Sequence, residues 1–549
     1  MGGEPGRGKE TAAPGASLPG GKSGASARDH LFAFSLIFTG LFLTHAALLR
    51  LPYFWDEAGY FIPAARDILL TGSLIPHTTL SNAHPPLVML WLAFWWKFSG
   101  FTPAVTRIAM LLVAAFALLG VWRLARYVAN DAVAAATVIC TAVYPVFFTQ
   151  SSMAHLDMTA AALTMWGLAM YVERRPVATV LFLALAPLAK ETAIITPMAL
   201  LGWEVLCPLL RRFQIEGEGL CLQRRDWART LSLLLCVAPL VLWLSYHRYK
   251  TGYFLGNPEY LRYNLGATLT PLRVALAMLL RLWHLLGYLN LFVLTLMALY
   301  AMSQPALAGR QRIAIPVQFV FGVVIAAHVV ALSVLGGAVL ARYMLPVLPL
   351  VILLCISTLR RRFRHWAWYT AAACAAFVFA LFVVPPYRIA PEDTLLYRDY
   401  VILHKEAETE IARRYPHARV LTAWPACDEM TRPFLGYVAE PLSVARVENF
   451  SEAEMERAAK APGEYDVVFV FTTKWQPPNP LWKTLPFGEA LQKRFFDYHE
   501  DVSPERAAAM LGGRIVSYQN RNNEWVVIIA MERVEDARNR FGFQVSSFK

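Results

Sequence analysis

A succession of apolar runs, separated by short polar or basic segments, constrains the fold of this chain more than any other feature. The runs lie near 31–50, 86–98, 104–122, 131–148, 158–172, 177–189, 192–209, 230–246, 284–302, 314–335, 343–359 and 366–385. A helix needs roughly 20 apolar residues to cross a bilayer. Only 16% of the 549 residues are charged, against about 25% in soluble proteins. The sequence therefore predicts a polytopic α-helical membrane protein.

The net charge of +12 also agrees with a membrane protein. Basic clusters fall between the apolar runs, as they do in the cytoplasmic loops of membrane proteins, so no nucleic-acid partner is expected. The clusters are Arg123 and Arg126, Arg174 and Arg175, Arg211 and Arg212, Arg224, Arg225 and Arg229, Arg310 and Arg312, and Arg360, Arg361, Arg362 and Arg364. Residues 1–28, rich in Gly, Ala, Ser and Pro, are predicted to be a disordered cytoplasmic tail.

Counting crossings between the basic clusters predicts the topology. Asp56 follows the first run and lies outside, whereas Arg123 lies inside, so an odd number of crossings separates them. Of the two runs between them, 86–98 is short and rich in tryptophan, which favours a helix along the outer surface. The whole count gives about eleven spans, with the N-terminus inside and the C-terminus outside.

The same count places several polar turns on the outer face. They are the loop after the first run, "SSMAHLDM" (151–158), "AKET" (189–192), the loop 247–283 and "ARYMLPVLP" (341–349). Asp56, Asp157, Lys190 and Arg342 are therefore predicted to share one membrane face.

After "VVPPYR" (383–388) the composition becomes that of a soluble domain. Helical stretches alternate with strand candidates such as "ARVLTAW", "YDVVFVFT" and "EWVVIIAM", a pattern typical of a small α/β domain. The predicted organisation is a tail over 1–28, a transmembrane domain over 29–386 and an extracytoplasmic α/β domain over 387–549.

The seven cysteines form no CxxC pair. They predict neither a disulfide framework nor a cysteine zinc site, and are interpreted as packing residues.

The candidate site begins with carboxylates. Asp56 and Glu57 stand beside Tyr60 in "YFWDEAGYF" (53–61), and Asp157 opens a later run. Adjacent loop acids are often only solvated, and an acid at the start of a helix can serve only as a cap. Their predicted convergence favours function over these simpler interpretations.

Cations accompany these carboxylates. Lys190 and Glu191 interrupt an apolar hairpin, where charges are costly and commonly functional. Arg342 lies at the outer end of a span, against the positive-inside trend, and Arg262 lies in the outer loop. A divalent metal bound through Asp56, Asp157 or His84 remains open, although no HxxxH or HExxH pattern supports it.

Carboxylates beside cations suit one chemistry well. A carboxylate takes the proton of a hydroxyl or amine nucleophile, while Lys and Arg stabilise the charge on a phosphate. This set fits glycosyl transfer from a polyprenyl-phosphate sugar, in which the lipid phosphate is the leaving group.

Several motifs resemble a known family. "WDEAGY", "HPPL" (84–87), "HLDM" (155–158), "LAKET" (188–192) and "RYMLPVLP" (342–349) are similar to motifs of the protein O-mannosyltransferase and lipid A aminoarabinose transferase group. That group belongs to the GT-C class of glycosyltransferases and is glycosyltransferase family 39-like. The resemblance implies inverting transfer, a polyprenyl-phosphate monosaccharide donor, and an active site on the periplasmic side of a bacterial plasma membrane.

The resemblance also assigns roles. It implies that Asp56 and Asp157 are catalytic, with Glu57 beside them, and that Lys190, Arg342 and Arg262 bind the donor phosphate. His84, Tyr60, Glu191 and His155 are expected to contact substrate. His84 replaces the lysine of the "KPPL" motif in aminoarabinose transferases, and Ala83 replaces a metal-binding glutamate there. The lumenal domain typical of protein mannosyltransferases is missing, so the lipid, glycan or protein acceptor stays open.

Two other functions are alternatives to glycosyl transfer. A transporter or flippase of a lipid-linked or anionic substrate also needs buried charges and broken spans, but no convincing internal repeat is present. A membrane-anchored binding protein, working through its C-terminal domain, would leave the converging charges unexplained.

Overall fold

The computed structural model describes residues 26–210, 212–215, 218–222, 226–256, 258, 269–475, 477, 481–484, 486–496 and 498–531. It consists of a bundle of apolar helices followed by a five-stranded sheet with helices around it. Of the residues singled out above, Arg211, Arg224, Arg225 and Arg262 lie outside the described residues.

The first half of the bundle follows the apolar runs closely, except that its second helix lies in the loop predicted after the first run. Its helices are α1 (Ala27–His45), α2 (Ile62–Thr71), α3 (Leu87–Ser99), α4 (Pro103–Val128), α5 (Asp131–Val143), α6 (Pro145–Gln150), α7 (Leu156–Val172), α8 (Pro176–Ala189) and α9 (Ile195–Leu206). Local signals set their ends. Ser26 and Asp29 form a reciprocal capping box at the start of α1, and Pro145 divides the run 131–148 into α5 and α6.

The second half departs from expectation at one place. Its helices are α10 (Trp227–Ser232), α11 (Ala238–Thr251), α12 (Pro271–Leu286), α13 (Leu291–Met302), α14 (Ile315–Val334), α15 (Leu348–Arg362) and α16 (Trp366–Phe382). The prediction of a loop throughout 247–283 is wrong, because α12 occupies its last part. Two buried arginines lower the hydropathy there, and both donate to backbone carbonyls beyond α14, Arg273 to Gly336 at 2.9 Å and Arg281 to Leu340 at 2.6 Å.

Length and composition identify the candidate spans. Among the described residues, six helical segments are long and apolar enough to cross a membrane: Ala27–Leu48, Pro103–Val128, Glu191–Leu210, Trp227–Thr251, Pro271–Met302 and Ile315–Val334. Shorter apolar helices, such as α3, α5, α7, α8 and α16, accompany them. The chain is thus a multi-pass membrane protein, whereas the count of eleven spans and the orientation of the termini stay predictions.

The C-terminal region contains the expected sheet. Its strands are β3 (Arg419–Thr422), β4 (Ser443–Arg446), β5 (Val467–Phe471), β6 (Gly513–Arg521) and β7 (Glu524–Met531), in the order β4-β3-β5-β7-β6. The pairs of β3 with β4 and β5 are parallel, and β7 pairs antiparallel with β5 and β6. The surrounding helices are α17 (Leu396–Arg414), α18 (Ala426–Thr431), α19 (Glu452–Ala459), α20 (Gly488–Phe495) and α21 (Pro504–Leu511).

A disulfide joins Cys207 to Cys221, so the interpretation of these two cysteines as packing residues is wrong. Between the two cysteines, β1 (Gln214–Ile215) pairs antiparallel with β2 (Glu218–Gly219). This reversal brings the two Cα atoms to 5.7 Å. A spacing of 14 residues carries no motif that would have indicated it.

Candidate active site

The loop that carries Asp56 lies where the helix bundle meets the C-terminal domain. Asp56 directly precedes one π-helical turn, Glu57–Phe61. The Tyr53 N–H donates to the Leu435 carbonyl at 3.4 Å, and the Tyr437 hydroxyl donates to the Tyr53 carbonyl at 3.0 Å. The loop around Asp56 is therefore hydrogen-bonded through its backbone to the C-terminal domain.

Aromatic packing strengthens this contact. The Trp424 ring lies 5.3 Å from Trp55 and 5.8 Å from Tyr60, centroid to centroid. Gly59 lies so close beneath Trp424 that a Cβ at this position would stand 2.7 Å from Cζ2 of the indole. Tyr60, predicted to contact substrate, therefore packs at the interface between the loop that carries Asp56 and the C-terminal domain.

Glu57 forms a fully buried ion pair with Arg107, which lies near the start of α4. Glu57 Oε2 also accepts from Phe54 N at 2.9 Å and Oε1 accepts from Ala154 N at 2.5 Å. Arg107 in turn donates to the Pro52 carbonyl at 3.0 Å. With both oxygens occupied, Glu57 is placed to join the Asp56 loop to the loop before α7, rather than to meet a substrate.

Arg342 is the centre of a charged cluster formed by Asp56, Asp157, Lys190, Arg342 and Glu392. Its guanidinium pairs with Asp56 Oδ2 and lies 3.0 Å from Glu392 Oε1 (from Nη1) and 3.6 Å from Asp157 Oδ2 (from Nε). Arg342 sits on a single 3₁₀ turn, Ala341–Met344, just before α15. One cation thus contacts carboxyl groups from three separate segments.

Lys190 completes the charged cluster from the break between α8 and α9. Its Nζ donates to Asp157 Oδ1 at 2.6 Å and lies 3.8 Å from the centroid of the Tyr343 ring. The two aspartates differ in side-chain exposure, which is 21% for Asp56 and 6% for Asp157. Of the two, Asp56 is the one that an incoming molecule can reach.

The predicted substrate contacts divide into two groups. His155 lies in the charged cluster's immediate surroundings, with Nδ1 2.9 Å from Arg342 Nη1. His84 and Glu191 pair with each other, Nδ1 to Oε2 at 3.1 Å. The Phe61 ring packs against both histidines, with its centroid 5.9 Å from that of His84 and 6.0 Å from that of His155.

Two residues of the site were missed by sequence reasoning. Arg107 could have been found, because it is a cation at the end of an apolar run, as Arg342 is. Glu392 stands in "APED" after the last apolar helix and matches no pattern. Burial raises the pKa of Glu392 to about 8 despite the Arg342 guanidinium, with nearby carboxylates adding to the effect.

The residues that the sequence offers as metal ligands have other ionic partners. Asp56 and Asp157 pair with Arg342, and His84 pairs with Glu191. Within the described part of the chain, none of these three belongs to a cluster of three metal-ligating side chains.

Comparisons with known proteins bear on this geometry. Residues 83–243 match the family model described as dolichyl-phosphate-mannose-protein mannosyltransferase. The fold is similar to that of ArnT from Cupriavidus metallidurans bound to undecaprenyl phosphate, with a TM-score of 0.52, 14% identity, and coverage of 92% of this chain and 98% of that one. The predicted resemblance to GT-C glycosyltransferases is confirmed. The segment that matches the family model contains His84, Asp157 and Lys190, whereas Asp56 and Arg342 lie outside it.

Two other GT-C structures are similar. ArnT from Cupriavidus metallidurans in the apo state matches with a TM-score of 0.49 and 16% identity, covering 92% of this chain and 98% of that one. The mycobacterial arabinofuranosyltransferase AftD matches with a TM-score of 0.45 and 13% identity, covering 93% of this chain and 40% of that one. No curated protein sequence matches the chain.

Proposed function

We propose that this protein transfers a monosaccharide from a polyprenyl-phosphate donor to a hydroxyl, amine or phosphate group of a lipid, glycan or protein acceptor. The transfer inverts the anomeric carbon and takes place on the extracytoplasmic face of the membrane. One observation carries the proposal: Asp56, Asp157, Lys190 and Arg342 come from four segments of the chain and meet in one contiguous set of ion pairs. The undecaprenyl phosphate bound by the similar ArnT is a ligand of the required chemistry.

Lys190 and Arg342 bind the donor phosphate in this mechanism. Both cations are held at fixed positions by Asp157, which lies between them. A phosphate oxygen competes with Asp56 for the Arg342 guanidinium, because bidentate binding of a phosphate suits its geometry. Donor binding thereby frees the Asp56 carboxylate.

Asp56 then acts as the general base. Its carboxylate takes the proton of the acceptor O–H or N–H as the acceptor atom bonds to the anomeric carbon. The bond from that carbon to the phosphate oxygen breaks, and its electron pair leaves with the lipid phosphate. Lys190 and Arg342 stabilise the charge that develops on this leaving group. Attack opposite the leaving group produces inversion.

The test is transfer of radiolabelled sugar from a polyprenyl-phosphate donor in membranes that contain the protein. Wild-type membranes are expected to incorporate label, and Asp56→Asn membranes with equal amounts of folded protein are expected not to. Full activity of Asp56→Asn would overturn the assignment of the base. Mass spectrometry of surface glycans and glycoproteins from a deletion strain identifies the sugar and the acceptor.

A further inference from the structure

A second cluster of ligand-type side chains lies inside the C-terminal domain, away from the charged cluster. His404 and Glu408 stand one helical turn apart on α17, and Glu429 lies on α18. His404 Nδ1 is 2.7 Å from Glu429 Oε2 and 3.7 Å from Glu408 Oε1. One ligand atom of each side chain lies within 4.8 Å of the others.

These three side chains are completely buried, with 0% exposure of each residue. In the described part of the chain, neither oxygen of Glu408 accepts a hydrogen bond, and neither does Oε1 of Glu429. Phe469 and Phe471 pack against the His404 ring at 5.2 and 4.5 Å. Two buried carboxylates, with three of their four oxygens lacking a donor among the described residues, are costly unless a cation compensates them.

The protein itself supplies little positive charge here. Over the described ranges, no Lys or Arg forms an ion pair with Glu408 or Glu429, and His404 is their one ionic partner. His404 Nδ1 reaches one of the four carboxylate oxygens and leaves the other three without a donor among the described residues. The compensating cation must therefore come from solvent, either as a metal ion or as a proton.

We propose that His404, Glu408 and Glu429 bind one divalent transition-metal ion, with Zn²⁺ as the first candidate. An imidazole nitrogen and two carboxylate oxygens are ligands that zinc takes in proteins, and water fills the remaining position. A His and a Glu four residues apart on one helix present their donor atoms on the same face. This proposal does not depend on the glycosyl-transfer mechanism.

The position of the cluster gives the ion a structural role. Tyr400, one turn before His404, stacks on the imidazole at 3.9 Å and contacts the rings of Phe54 and Trp55 at 5.2 and 5.6 Å. The other ligand helix, α18, begins just after Trp424. The ion would therefore join α17, which carries Tyr400, to α18, which closely follows Trp424. Both aromatic side chains pack against residues next to Asp56.

A shared proton is the competing occupant. Burial raises the pKa of Glu408 well above its usual range, and the facing Glu429 carboxylate raises it further. A protonated Glu408 that donates to Glu429 would relieve the same repulsion without a metal. Metal content separates the two possibilities directly.

The test uses the full chain, purified in detergent, treated with a chelator, reloaded with zinc sulfate and desalted. Mass spectrometry of the elements is expected to find about one zinc per chain, as a single three-ligand site requires. Glu408→Gln and Glu429→Gln are expected to reduce bound zinc at least tenfold. Asp56→Asn, which removes a carboxylate from the charged cluster, is expected to retain it.

If the variants do not fold, the zinc content of the wild-type protein still tests the proposal. Zinc at background level in the reloaded wild type would overturn it in favour of the shared proton. Zinc retained in both Glu→Gln variants would place the ion elsewhere and overturn it as well. Zinc added to the stripped wild type should also raise its unfolding temperature, and an unchanged temperature would contradict the structural role.

Discussion

Lys190 Nζ lies 2.6 Å from Asp157 Oδ1, although 33 residues separate them in the sequence. This pair fixes the ammonium group beside Arg342. Lys190→Ala should therefore raise the KM for the polyprenyl-phosphate donor by roughly 10- to 100-fold, the loss expected for one charge-assisted hydrogen bond. Initial rates with each substrate varied in turn measure the effect. Lys460→Ala, which removes an exposed lysine of the C-terminal domain, is the matched control. A larger increase in the KM for the acceptor would contradict a phosphate-binding role.

The exposure of Asp56 leads to a second prediction. Asp56→Asn keeps the size of the side chain but removes its basicity, so the turnover rate should fall by about 10²- to 10⁴-fold. Single-turnover transfer of labelled sugar measures the chemical step. Asp131→Asn, which alters an exposed partner of Arg126, should leave the rate unchanged.

The ion pair of Glu57 and Arg107 predicts a loss of stability. Glu57→Ala leaves Arg107 charged and buried, which costs about 3–5 kcal/mol when one partner of a buried pair is removed. The unfolding temperature of the purified protein should fall markedly. Asp131→Ala breaks an exposed pair and should cost about 0–1 kcal/mol. Equal unfolding temperatures for the two variants would refute the positioning role of Glu57.

Glu392 predicts a dependence of stability on pH. Burial raises the pKa of this carboxyl to about 8 in the folded protein, so the folded state binds a proton that the unfolded state has already released. The free energy of unfolding should therefore be highest below the ordinary glutamate pKa and decline as the pH rises through about 8. Glu392→Gln cannot lose a proton and should show a flatter profile. Unfolding temperatures of both proteins across this range provide the measurement, and parallel profiles would count against it.

Accessibility labelling tests the predicted topology. A cysteine introduced at Ser73 should react with an impermeant maleimide added outside intact cells, and one at Gln223 should not, because the basic segment around it is predicted to be cytoplasmic. Wild-type cells give the background from native cysteines. The Cys207–Cys221 disulfide lies in this same segment, and disulfides are rare in the cytoplasm. Labelling at Gln223 from outside would reverse the assignment of this loop.

Hydropathy predicted most of the helices, because an apolar segment in lipid has to satisfy its backbone polar groups internally and does so as a helix. Counting crossings went further and placed Asp56, Asp157, Lys190 and Arg342 on one membrane face. The structure joins these four residues in one cluster of ion pairs. This count needs no knowledge of tertiary contacts, because it uses only the side of the membrane on which each turn is predicted to lie.

Other features had no signal of this kind. Helix α12 was missed because Arg273 and Arg281 are buried yet charged, and their carbonyl partners lie some 60 residues further along the chain. Glu392 enters the charged cluster only through the packing of the segment after α16. Long-range pairings such as these depend on tertiary structure, and single residue types do not reveal them.

The contact of Gly59 with Trp424 has a consequence for how such a protein could be re-engineered. A residue with any side chain at position 59 would collide with the indole, so loop and domain are shaped to each other at this point. A C-terminal domain taken from another protein of this fold could not be exchanged as a self-contained module. A functional chimera would have to take the loop around Asp56 and the C-terminal domain from the same parent protein, because their surfaces are complementary at this contact.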